Sequence, residues 1–249
     1  MAYLAGKIAL AVSAGAPNNG RGENTTTTLV KKARIRGQWY PYVSAQAFRR
    51  WLRDTMTGMG MVPSPTERIG KAQKKAQKAN TAADPIRYAD DDLFGYMKAG
   101  AKSSDEATTL RDTPFMVGTF MSVEPARPTE DFGVMSRGID EPVLHGHEFY
   151  TADLAAPFLL DLPRVGTFTL PASNGSGRAN YLSADAALNV ARAVSMGAEA
   201  ITFRGQAAVR LPLDVRRDRV ALLLEALAEL TGGAKKALHY GDRTPALVA

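Results

Sequence analysis

A chain of 249 residues and 26.7 kDa, 45% hydrophobic and 22% charged, suits one large globular domain or a core carrying insertions, neither disordered nor fibrous. It has no cysteine, which excludes disulfide scaffolds, thiolate zinc sites, iron–sulfur clusters and cysteine nucleophiles and fits a cytoplasmic location; no apolar run approaches the ~20 residues of a membrane span. The net charge of +6 is mild but local: seven basic residues and no acid fall between Lys31 and Arg53, and a second basic stretch runs from Arg68 to Lys78.

Tyr3 to Ala14 reads as a first, mostly buried strand. Its start resembles a secretory leader, but the apolar run is short and leads straight into a polar loop at Asn18–Asn24. Gln38 to Val43 is extended, with Pro41 turning Tyr40 away from helix. Ser44 then caps an amphipathic helix reaching about Thr57, and Pro63-Ser-Pro65 ends the pattern. Residues 66–82, rich in Lys, Gln and Ala, offer little to bury and predict an exposed helix or loop. Asp90-Asp-Asp92 opens an acidic-to-apolar turn, more in keeping with a solvated turn or helix cap than with a Mg²⁺ site.

Phe115 to Val123 predicts a strand, and Glu124 to Gly146 a long excursion that projects as a hairpin. His147 to Leu162 and Val165 to Leu170 are extended. Residues 171–181 form a Gly/Ser/Asn loop, and Ser183 to Met196 a helix stopped by Gly197. After a strand at Gln206–Leu213, Asp214 caps a helix with apolar residues at Val220, Leu223, Leu224, Leu227 and Leu230, closed by Gly232 and Gly233. Lys236 to Val248 is a last extended segment. This order fits an α+β fold with a mostly antiparallel sheet around a split βαβ core of RRM or ferredoxin type.

The helix after Ser44 carries the chemistry. At about 100° per residue, Arg49, Arg50 and Arg53 lie within about 60° of Gln46, while Ala47, Phe48, Trp51, Leu52 and Thr55 cluster opposite. One face is core. The other is an amide and three guanidiniums without an interleaved acid, which favours bidentate phosphate contacts over the alternative of a plain solvated face. The helix N-terminus at Ser44 adds backbone N–H donors.

Tyr40-Pro-Tyr-Val-Ser44-Ala-Gln46-Ala-Phe-Arg49-Arg50-Trp-Leu-Arg53 resembles the Ser-x-Gln-x-x-basic-Arg segment of the CRISPR Cascade backbone subunit, the seventh Cas family within the RAMP superfamily, in its DevR-type branch. Further segments follow in the family's order: Asn19-Gly-Arg-Gly-Glu23, Asp91-Asp-Leu-Phe-Gly-Tyr-Met97, Arg111-Asp-Thr-Pro-Phe-Met-Val-Gly118, Asp131-Phe-Gly-Val-Met135, His147-Glu-Phe-Tyr-Thr-Ala-Asp-Leu154, Leu230-Thr-Gly-Gly-Ala-Lys235 and Asp242-Arg-Thr-Pro-Ala246. No single one is decisive; their joint order is specific.

The resemblance implies a modified RRM-like palm with its first half in residues 1–60, an inserted helical fingers segment at 61–110, and the rest of the palm in 111–249 with a thumb hairpin at about 124–146. It implies a guide-RNA-binding backbone of a type I complex. Such a subunit polymerises with copies of itself and other Cascade subunits, and presents the guide for pairing with target DNA. By position, Ser44, Gln46, Arg49, Arg50 and Arg53 match the guide-contacting segment, and Asn19 and Arg21 join it from upstream. Met97 matches a methionine packed beside bases, and Phe132 and Met135 fall where the thumb separates nucleotides. Each of these three apolar residues equally suits core or interface packing. A guide of arbitrary sequence is held through its backbone, so cationic contacts without base reading fit this role.

Enzyme readings are weak. His145 and His147 share a strand face but bring no carboxylate pattern, and zinc needs more ligands. There is no P-loop and no nucleophile elbow. The sequence therefore predicts a binding subunit without catalysis, cofactor, metal or membrane. The alternatives are a type III-like backbone that cleaves target RNA through Glu23 or Asp90–Asp92 with a metal, and an unrelated RRM-like RNA-binding protein.

Overall fold

The computed structural model describes residues 2–20, 27–69, 78–98, 109–136, 138, 141, 143–170, 186–239, 241 and 243–249. The chain forms two compact units of interleaved segments: Met1–Leu4, Met56–Met116 and Leu159–Leu224 in the first, Ala5–Thr55, Val117–Phe158 and Glu225–Ala249 in the second. The architecture is α+β, as the order of elements predicts.

The second unit is built on the large sheet. Its strand order is Leu247–Val248, Tyr3–Gly15, Val143–Asp161, Phe120–Ser122, Gln38–Val43, Lys32–Ile35, with further strands pairing along Val143–Asp161. Period-two burial explains the long members: Ile8, Leu10 and Val12 are buried along the first, and Tyr150, Leu154, Ala156 and Phe158 along the other. The strand expected at Phe115–Val123 is two short ones, Phe115–Val117 and Phe120–Ser122: both pair with Val143–Asp161, but the register shifts by one residue between Gly118, whose N–H bonds the Pro157 carbonyl at 2.9 Å, and Met121, opposite Ala155.

The arginine helix, Ala45–Gly58, packs its core face on this sheet. Phe48 stacks on Phe120 at 4.3 Å between ring centroids and lies 6.5 Å from Trp51. The chain after the last long helix returns to it. The Thr231 N–H bonds the Thr55 hydroxyl at 3.0 Å. Gly232 lies so close to the Trp51 ring that a Cβ there would collide with it, so this contact requires glycine. The expected extended segment Lys236–Val248 instead starts as the short helix Lys236–His239, and only Leu247–Val248 pairs, with Ala9 and Ile8.

The first unit holds the three-stranded sheet Thr167–Thr169, Gln206–Arg210, Glu199–Phe203 and a core of Ile86, Phe168, Ala193, Val209 and Leu211. Glu199–Phe203 was not expected as a strand. It is joined to its partner by Arg204 and Gly205, both at positive φ, which is the twist a two-residue hairpin needs. The helix attributed to an Asp214 cap runs Leu213–Ala228, so Asp214 lies in its first turn rather than before it. Among the described residues of 61–110, strand outweighs helix. Thr66–Ile69 pairs with Lys78–Thr81 and Tyr96–Lys98 with Thr109–Arg111, so the expected helical character is confined to Ala89–Phe94, and the described flanks of 66–82 are strands. Residues 70–77 and the loop at 171–181 lie outside the described residues.

The acidic triplet departs most from expectation. Asp90, Asp91 and Asp92 are all buried, not solvated. Asp90 accepts the Ser64 N–H at 3.0 Å, and Asp91 accepts the Ser64 hydroxyl at 2.8 Å and the Asp84 N–H at 3.0 Å. Burial still pushes the Asp91 pKa up. Asp92, fully buried, takes Arg111 on one oxygen and Arg219, at 2.5 Å, with the Gly166 N–H on the other. Arg111 also reaches the carbonyls of Asp92, Arg164 and Thr167, and Arg219 those of Pro85 and Ile86. Removing one partner of such a network strands buried charge at a cost of about 3–5 kcal/mol. Asp92→Ala is expected to lose stability of that order in urea denaturation followed by circular dichroism. A midpoint equal to the parent's would show that the arginines do not need it.

Candidate nucleic-acid interface

The Gln38–Val43 strand delivers Ser44 to the start of the arginine helix, and two side chains cap it. The Ser44 Oγ accepts the Ala47 N–H at 3.3 Å, and the Asn18 Oδ1 accepts the Ser44 N–H at 3.0 Å. Asn19, expected among the guide-contacting residues, is the next residue in the chain. Asn19 forms an isolated bridge with Val30, and its own Oδ1 is buried without a hydrogen-bond partner. Arg21 lies outside the described residues.

Phe48, Leu52 and Met56 are buried, and Gln46, Arg50 and Asp54 are exposed with Arg49 and Arg53 partly so, as the helical period predicts. Burial and the neighbouring Arg53 both pull the Arg49 pKa down: two like charges share this face. The stripe is not free of acid, however. The Arg50 Nε donates to both carboxylate oxygens of Asp54 at 2.8 Å. This i,i+4 pair is largely exposed and contributes at most about 1 kcal/mol, so an incoming phosphate can compete for Arg50. The signal for Asp54 was the residue one past the stripe, on the same helical face.

In the same unit the thumb segment is a true hairpin. Thr129–Met135 pairs antiparallel with the start of Val143–Asp161, in a register running from Thr129 with Phe149 to Met135 with Val143. Its apolar residues are solvent-exposed: Phe132 67%, Met135 63% and Leu144 62%. The register corrects one expectation. Phe132 and Met135 are three residues apart, so they point to opposite faces and cannot form one wedge. Phe132 shares its face with Val134 and Leu144, whereas Met135 shares the other with Val143. Leu144 and Val143 were missed because the sequence shows the run but not the pairing. Met97 belongs to the first unit, on the strand Tyr96–Lys98 beside Leu110, and is 61% exposed, so it is not a core residue of that unit.

Met135's face also carries the histidines. Asp131 faces His147 across the pair at 3.6 Å, and His145 lies over Gly133. The His239 ring, unseen as a partner in the sequence, comes to 5.3 Å from that of His147. Among the described residues no group of three His, Cys, Asp or Glu side chains could hold a metal ion.

Neither a family model nor a curated protein matches the chain. Solved structures do. A chain described as "CRISPR RNA-guided surveillance complex, pre-nicking" superposes with a TM-score of 0.59 at 12% identity, over 99% of this chain and 77% of that one. Another, "CRISPR RNA-guided surveillance complex", gives 0.53 at 13% identity over 97% of this chain and 66%, just under two thirds, of that one. The chain shares their fold. The large, mostly antiparallel sheet with few helices is the RRM-like palm that the sequence implied.

Burial lowers the pKa of both His147 and His239; Lys235 adds to this for each, each ring's neighbouring imidazole and, at His239, Arg243 do too, and Asp131 opposes it. A histidine with a depressed pKa binds fewer protons folded than unfolded, so stability is full above the ordinary value of about 6.5 and falls as the pH drops through it. The melting temperature is therefore expected to fall between pH 7.5 and 5.5, and to fall less in His239→Asn. An equal drop in the variant would free the pair of this role.

Proposed function

We propose that this chain is a guide-RNA-binding backbone subunit of a type I CRISPR interference complex, of the DevR-type branch. It polymerises along the RNA, presents it for pairing with target DNA, and performs no catalysis of its own. One observation carries the reading: a capped helix fixed to the sheet of an RRM-like palm presents Gln46, Arg49, Arg50 and Arg53 on its outer face. The fold is shared with chains of RNA-guided surveillance complexes. Contacts of this kind are cationic and indifferent to sequence, which suits a guide whose bases must stay available for pairing.

Filter binding at several salt concentrations tests the arginine face. Arg49→Ala and Arg53→Ala are expected to weaken guide binding and to lower the salt slope by about 0.7 per lost phosphate contact on single-stranded RNA. Asp54→Asn is expected to strengthen it, since it removes an anion and releases Arg50. Unchanged affinity and slope in the arginine variants would remove the helix from the interface.

The hairpin supplies a separate test. If the Phe132 face separates nucleotides, Phe132→Ser with Leu144→Ser shortens assemblies on guide RNA and blurs the nuclease-protection period. Met135→Ser with Val143→Ser then leaves both intact. All four residues are exposed, so the monomer's melting temperature should hardly move. The reverse pattern would place the wedge on the histidine side. Labelled target RNA with Mg²⁺ and the assembled complex should stay uncut. Cleavage would favour the type III-like reading, for which Glu23 is the remaining acid, because Asp90–Asp92 are engaged inside the fold. Copurified RNA without repeat-derived ends would favour an unrelated RNA-binding role.

A further inference from the structure

The first unit contains a half-enclosed cavity of about 170 Å³, well away in kind from the exposed arginine helix. Arg111, Arg164, Arg204, Thr169, Gln206 and Phe203 line it. Almost every polar group on its wall is a hydrogen-bond donor or can act as one. The Thr169 hydroxyl, in a residue only 6% exposed, is buried with no hydrogen-bond partner among the described residues, although buried hydroxyls normally have one.

The charge around the cavity is unbalanced. Asp92 serves both Arg111 and Arg219, Asp161 serves Arg204 at 2.6 Å and Arg164 at 3.5 Å, and Asp112 reaches Arg164 at 3.8 Å. Among the described residues these four guanidiniums face three carboxylates, which leaves one positive charge in excess. Beside them, the Arg210 guanidinium touches Thr167 at 3.3 Å with Glu199 opposite it in the strand pair, and the Arg216 guanidinium lies in the field of Asp92, Glu199 and Arg210. Among the described residues Arg164 has only long ion-pair contacts, so it can turn to a ligand at little cost. Phe203, with Arg204 over its ring at 4.8 Å, supplies an apolar wall.

We propose that this cavity is a binding site for a terminal phosphate ester. Arg164, Arg204 and the Thr169 hydroxyl would hold the phosphoryl oxygens, and the organic part would lie against Phe203. An engineered cavity of about 150 Å³ accommodates benzene, so this space takes the end of a molecule and not a continuous polyanion. The source is a free nucleotide-sized monoester or the phosphorylated end of an RNA. The site stands on the cavity alone and does not depend on the guide-RNA reading.

Isothermal titration calorimetry of the full chain tests it, with a nucleoside 5′-monophosphate, the matching nucleoside, inorganic phosphate, and one short oligoribonucleotide with and without a 5′-phosphate. The monophosphate should bind at a single saturable site and the nucleoside should not. Losing one hydrogen bond to a charged group corresponds to about tenfold or more in affinity, so Thr169→Val and Arg164→Gln should each weaken the monophosphate by at least that factor. Thr169→Val should not lower the melting temperature, because its hydroxyl has no partner to lose. The oligonucleotide is read only through the part of its binding that Thr169→Val abolishes. A preference for the 5′-phosphorylated strand over the monophosphate assigns the site to an RNA end, and the reverse assigns it to a small molecule. No saturable binding of any phosphate-bearing probe at millimolar concentration, equal affinity in Thr169→Val, or a nucleoside bound as well as its monophosphate would overturn the proposal.

Discussion

Two guanidiniums meeting on one buried carboxylate organise the first unit. Asp92 by itself would be costly to bury. With Arg111 and Arg219 it becomes a junction through which the Ala89–Phe94 helix, the Thr109–Arg111 strand, the turn before Thr167 and the Leu213–Ala228 helix are tied. The arginines spend their remaining N–H groups on backbone carbonyls, so the network is close to fully satisfied, the condition under which buried charge is tolerated. Phe168, under the Arg111 guanidinium at 4.6 Å, belongs to the core of the same unit. The cavity with the orphaned Thr169 hydroxyl borders this network, and its surplus charge follows from Asp92 serving two cations at once.

What could be read from the sequence was whatever depends on neighbours in the chain. The arginine helix was legible because its cap, its apolar face and its cationic face all recur within fourteen residues. The hairpin was legible as an excursion between two strands. The sidedness of Phe132 and Met135 was not, since it depends on a pairing register that composition does not reveal. The acidic triplet misled for the same reason: its partners are 19 and 127 residues away in sequence, for Arg111 and Arg219, and an isolated run of aspartates looks solvated. His239 was invisible as a neighbour of His147, and Glu199–Phe203 as a strand, because both are defined by partners from elsewhere.

The charge distribution has a common logic across the two units. Where cations face solvent, on the Ala45–Gly58 helix, Asp54 opposes Arg50 weakly. Inside the first unit, Arg111 and Arg219 are matched both to a carboxylate and to backbone carbonyls. Lys32 shows the intermediate case: it neutralises the buried Glu148 and at the same time lies 5.4 Å from the Trp39 ring.

The packing of Trp51 on Gly232 has a spectroscopic corollary. The chain has two tryptophans, Trp39 and Trp51, and both belong to the second unit. One ring is buried beside a glycine that admits no side chain, and the other is flanked by the cations of Lys32 and Arg34. Intrinsic emission excited at the indole band therefore reports on one half of the molecule only. The half that contains Asp92 and the arginine-lined cavity unfolds in the dark, and following it by fluorescence requires an indole introduced there.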